Sequence, residues 1–135
     1  MAVEAGVLVG LNERPIFWHL PPRAATDRLP DDGKLWSSIW ENRENVLGFA
    51  RSHLGGGVPS PSLEDLTTFR AIEQGLGRKM RWWIVSLTNT VEVFTGRDRT
   101  SYSSTTLPDD GEPGWVWKLR EHSFVPDPEV SRRGE

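Results

Sequence analysis

Cysteine is absent from this 135-residue chain. That excludes a disulfide framework and a thiolate metal site, so any bound metal must use His, Asp or Glu. Histidine is itself scarce, with three in all, and there is a single tyrosine. No apolar run approaches the ~18 residues that a membrane-crossing helix needs. The start, MAVEAGVLVG, lacks the basic beginning and long apolar centre of a secretory signal. The expectation is a cytoplasmic protein without a membrane partner. Nor does one sign of charge dominate: 16 Lys and Arg against 19 Asp and Glu leave a net charge of −3. With the signs interspersed, nothing in the chain marks a nucleic-acid footprint.

What is present argues for one folded domain. The length suits a single core, and seven tryptophans with 36% apolar residues separate the chain from disordered compositions. The expected domain spans 1–125. PDPEVSRRGE, 126–135, reads as a flexible carboxy-terminal tail.

The runs VEAGVLVGL (3–11) and PIFWHL (15–20), split by Asn12-Glu13-Arg14, read as a strand hairpin. Proline and charge in 21–34 predict a loop. In LWSSIWENRENV, Leu35, Trp36, Ile39 and Trp40 recur at helical spacing, and Asp31 and Asp32 suit the positive end of that helix. Residues 46–50 form a short strand leading into Arg51. Ser62-Leu63-Glu64-Asp65 after Pro61 is a Ser-x-x-acid helix start. Leu66, Phe69, Ile72 and Leu76 follow at helical spacing, and Gly75 and Gly77 end the helix. RWWIVSL (81–87) and VEVF (91–94) predict a second hairpin. Residues 96–114 read as a polar connection with a turn cluster at DDGEPG. GWVWKLREHSF is either a last helix or an extended edge element. The order predicts an α/β domain, a mixed β-sheet with helices packed on it. Trp36, Trp40, Trp82 and Trp83 fit core spacing. The adjacent pair 82–83 can both be buried only if helices cover both faces of the sheet. His19, beside Trp18, reads as a packed structural residue and His122 as a surface one.

The stretch that carries chemistry is GFARSHLGGGVPSPSLEDLTTFRAIE, 48–73. His53 closes a strand, Asp65 lies in the first turn of the next helix, and a loop with three glycines joins them. Such a loop can fold back and bring imidazole and carboxylate to one point. The Ser62 hydroxyl sits at the helix amino terminus, where a developing oxyanion is stabilised. The plainer reading makes Ser62 and Asp65 a capping box and His53 a locally bonded loop residue; cap and site can coexist.

These residues resemble the signature of the JAMM-type (MPN-domain) zinc metalloproteases, particularly their prokaryotic branch: His-x-His-Pro, a short loop, Ser-x-x-Asp, and a Glu upstream. The similarity runs from residue 3 to about 123. It implies a cytidine-deaminase-like fold and a zinc-dependent isopeptidase or deubiquitinase-like hydrolase acting on ubiquitin-like protein tails. By that resemblance His53 is the second histidine ligand, Asp65 the carboxylate ligand and Ser62 the oxyanion-stabilising hydroxyl. Glu4, in VEAGVLVG, is the general base, ahead of Glu13 in a turn and Glu41 on a helix. It also implies pairing with another copy or a heteromeric complex.

The chain departs from the pattern at four places. Arg51 stands where the first histidine ligand belongs, and Leu54 where the proline does. The His53–Ser62 loop is one residue longer, and the helix that precedes the family's Glu has no counterpart. A guanidinium has no lone pair to offer zinc and stays charged, so weak or lost activity is expected, as in a pseudoenzyme. Arg51 is instead placed to form an ion pair with Glu4 or Asp65. The alternative is a non-catalytic binding or scaffold module using the same cleft or a Trp115–Trp117 surface.

Overall fold

Short runs of Val, Ile, Phe and Trp build most of a six-stranded sheet, as expected of side chains that fit a pleated surface. The computed structural model describes residues 4–20, 33–53, 55–95 and 101–124. In chain order the elements are β1 (Gly6–Gly10), β2 (Pro15–His19), α1 (Gly33–Glu41), β3 (Val46–Ser52), α2 (Leu63–Leu76), β4 (Arg81–Val85), β5 (Thr90–Thr95), β6 (Tyr102–Thr106) and α3 (Trp115–Ser123). A 3-10 turn, Asp109–Gly111, precedes α3. The strand order is β2-β1-β3-β4-β5-β6. Only β3 and β4 run parallel, and α2 is the crossover between them, since parallel neighbours cannot be joined by a tight turn. This single mixed α/β domain matches the expected class.

Alternation along the strands sorts the core into two layers. Leu8, Phe49, Trp82, Ile84, Val91 and Val93 face Leu35 and Ile39 of α1 and Phe69 and Ile72 of α2. Val7, Val9, Ala50, Trp83 and Val85 face Trp115, Val116 and Leu119 of α3. The two neighbouring tryptophans are thus both buried, on opposite faces. Phe69 stacks on Trp82 with ring centroids 4.3 Å apart, and burying each such ring contributes roughly 2–3 kcal/mol. Gly48 is required by the β3–β4 approach: a Cβ there would lie 1.6 Å from the Arg81 carbonyl oxygen.

Four expectations need correction or completion. Trp36 and Trp40 are exposed, because the covered stripe of α1 is Leu35 and Ile39 alone; the Arg43 guanidinium lies over the Trp40 ring instead. The polar stretch 96–114 contains β6, whose Ser and Thr carry no hydrophobic alternation and gain their order by pairing with β5. The terminal element is helical, so Trp115 is buried while Trp117 is 71% exposed, and the two share no face. His122 is half-buried, its ring centroid 5.1 Å from that of Trp18. His19 is buried, as expected. Asp31, Asp32, Leu54 and the tail 126–135 lie outside the described residues. Among the described residues, no helix is long and apolar enough to cross a membrane.

Candidate functional site

Strand period places the first two groups. Phe49 faces α2, and a step of two residues puts Arg51 and then His53 on the same side of the sheet. Helix period places the third. Asp65, Phe69, Ile72 and Glu73 form the buried side of α2, so the carboxylate is turned inward from the first turn toward the end of β3. Ser62 caps that turn: its hydroxyl accepts from the Asp65 N–H at 3.1 Å, and its own N–H donates to Asp65 Oδ2 at 2.8 Å.

The expected convergence of positions 53 and 65 is present. His53 Nε2 lies 2.8 Å from Asp65 Oδ2. Arg51 Nη1 donates to Asp65 Oδ1 at 3.2 Å. Arg51 and Asp65 are 5% and 3% exposed, so this is a buried ion pair with an imidazole on its outer side. Asp65 is one of the two partners foreseen for Arg51. Glu4 lies just before β1, near enough for its charge to act on His53; β1 pairs with β3 as far as Gly6, opposite Arg51. The joint is fastened where the Ser52 N–H donates to the Ala5 carbonyl at 2.9 Å and the Ala5 N–H to Ser52 Oγ at 2.8 Å.

Charge follows geometry. The hydrogen bond to Asp65 raises the His53 pKa above its ordinary 6.5 despite burial, and the negative charges of Asp65 and Glu4 add to the rise while Arg51 opposes it. Burial would push Asp65 upward. The His53 and Ser62 hydrogen bonds and the charges of His53 and Arg51 outweigh it, so the carboxyl is held below 3.8. The cluster therefore combines a carboxylate favoured in its ionised form, the guanidinium, charged as any arginine is, and an imidazole biased toward imidazolium.

The other candidates stay apart. Glu13 sits in the β1–β2 turn and pairs with Arg81 Nη1 at 3.1 Å, at the end of β4 away from His53. Glu41 is exposed at the end of α1. His19 belongs to β2, with β1 between it and β3.

One part of the site left no local signal in the sequence. The β4–β5 turn grips the glycine loop: the Gly57 N–H donates to Thr88 Oγ1 at 2.7 Å, Ser86 Oγ donates to the Gly57 carbonyl, and the Leu87 N–H to the Gly55 carbonyl at 3.0 Å. Gly55 and Gly57 take positive φ, 108° and 84°, where a side chain would be strained. Arg120 of α3 braces the turn from behind, donating to the Ser86 carbonyl at 2.9 Å and to Glu112 Oε2 at 2.9 Å. Val58, Leu63 and Leu87 are exposed on the loop, the start of α2 and the turn.

These residues do not fit a zinc ion. Both oxygens of Asp65 are taken by N–H donors, and His53 Nε2 is directed at the carboxylate. A buried guanidinium stands where the resemblance puts the first histidine ligand. A dication would have to enter against that fixed charge, with two protein ligands in place of the usual three. Among the described residues, no three His, Asp or Glu side chains are grouped to hold a metal. Ser62 Oγ accepts from the Asp65 N–H and His53 Nε2 bonds Asp65 Oδ2, so both side chains are held by the same acid.

No known protein-family model matches the chain, and no curated protein matches it significantly.

Proposed function

We propose that this chain is a JAMM/MPN-type domain that binds a protein segment without hydrolysing it, its metal centre replaced by the Arg51–Asp65–His53 ion-pair cluster. The observation that carries the reading is the Arg51 guanidinium on the Asp65 carboxylate at 3.2 Å. The convergence of His53, Ser62 and Asp65, with the charge of Glu4 acting on His53, supports descent from a hydrolytic site. The charge at Arg51 accounts for its loss of chemistry: a buried cation satisfies the carboxylate that zinc would otherwise hold. The exposed Val58, Leu63 and Leu87 beside the cluster suit an extended peptide, and the tail of a ubiquitin-like protein is the segment the resemblance favours. The same reading includes a cytoplasmic setting and a complex with other protein chains, without nucleic acid.

Two measurements test this. Zinc is quantified in protein purified without chelator, beside Arg51→His, and both are assayed for cleavage of a ubiquitin-like conjugate. The expectation is far less than one zinc per unaltered chain with no cleavage, and zinc gained by Arg51→His. One zinc per unaltered chain, or turnover by it, sinks the non-catalytic reading. A variant that takes up no zinc removes His53 and Asp65 as former ligands.

A further inference from the structure

The two edges of the sheet are not alike. β2 opens with Pro15 and pairs with β1 through a register shift, both of which blunt an edge against further pairing. β6, YSSTT, has no proline or charge, and its five partners on β5 follow without a shift. Ser103, Ser104, Thr105 and Thr106 are exposed, so α2 covers this strand only at its Tyr102 end.

Its backbone polarity can be read from one bond. The Leu107 N–H donates to the Thr90 carbonyl at 2.9 Å, continuing the β5–β6 register. In an antiparallel pair the hydrogen-bonded positions alternate, so 103, 105 and 107 turn their N–H and C=O groups to β5. Tyr102, Ser104 and Thr106 turn theirs outward, and among the described residues no strand lies on that side.

We propose that β6 is a self-pairing edge, which joins a second copy of this chain antiparallel about Ser104 and continues the sheet across a twofold axis. Ser104 pairs with its own copy and Tyr102 with Thr106 of the other, giving about six N–H···O bonds from three outward residues on each chain. Charge favours the same arrangement. Arg70 stands over the Tyr102 ring, its guanidinium carbon 5.8 Å from the centroid, and marks one end of the strand. Asp109 and Asp110 follow the other end and are exposed. Antiparallel pairing sets the basic end of each copy beside the acidic end of its mate. One five-residue strand per copy buries less than the ~1,000 Å² of a stable interface, so the dimer is weak, with a dissociation constant on the order of 0.1 mM. The inference is independent of the reading of the Arg51 cluster.

Sedimentation velocity from about 10 µM to 1 mM tests it on the full chain, with amide exchange followed by NMR. Dimer should form with concentration, and protection of the 102, 104 and 106 amides should rise with it, while 103 and 105 stay protected throughout. Ser104→Pro removes only an outward N–H, which an edge strand tolerates. It should weaken the dimer roughly 25-fold, about fivefold for each of two symmetry-related bonds. Arg70→Glu should weaken it several-fold, with recovery on adding Asp109→Arg and Asp110→Arg. A monomer at 1 mM, its edge left to some other partner, overturns the proposal. So does a dimer indifferent to both Ser104→Pro and the charge exchange.

Discussion

Replacing Arg51 with methionine keeps most of its apolar volume and deletes the charge that meets Asp65. Breaking a buried ion pair by removing one partner typically costs ~3–5 kcal/mol, because the other charge is stranded. Here Asp65 Oδ2 keeps its bonds from His53 and the Ser62 N–H, each at 2.8 Å, and only Oδ1 loses its donor. The loss should therefore fall at or just below the bottom of that range, about 2–3 kcal/mol, which for a domain of this size lowers Tm by roughly 6–12 °C. Chemical denaturation of Arg51→Met, Asp65→Asn and the double variant gives the coupling directly. If the pair is what holds the cluster, the double variant will be less destabilised than the sum of the singles by at least ~1 kcal/mol. A loss under ~0.5 kcal/mol for Arg51→Met, or strict additivity, would refute a stabilising Arg51–Asp65 pair and with it the reason given for the missing metal chemistry.

The remaining predictions concern pH and the sheet. Because the folded chain raises the His53 pKa, its stabilisation is complete below 6.5 and is lost as pH rises through the folded value; Asp65, lowered below 3.8, contributes above that value and loses its share as pH falls through the folded one. Urea midpoints should thus peak between about pH 4 and 6.5, and His53→Gln should flatten the alkaline limb; an unchanged limb would assign that decline to another group. Gly48→Ala should prevent β3 and β4 from pairing, since the new methyl would sit 1.6 Å from the Arg81 carbonyl oxygen. Circular dichroism and thermal melts would show a chain that no longer folds cooperatively, and a native-like melt would contradict the tight parallel register.

Much of this protein is determined locally and is legible in its sequence. The capping residues of α2, the strand ending at His53 and the glycine loop between them follow from short-range preferences, which put imidazole and carboxylate at the two ends of one loop. Both hairpins were equally visible, because strand alternation and turn residues act over a few positions. Three matters were decided only by packing. Arg51 had two acids within reach in principle, and it is the inward turn of Asp65 from the buried side of α2 that brings that carboxylate to it. Helical spacing made Leu35, Trp36, Ile39 and Trp40 equal candidates for the core, but α1 offers the sheet one narrow stripe, so both tryptophans face out. β6 has no apolar pattern of its own; it is a strand because β5 supplies its hydrogen bonds. Periodicity states which residues share a face. Which face is covered, and which charge finds which, depends on contacts between segments far apart in the chain.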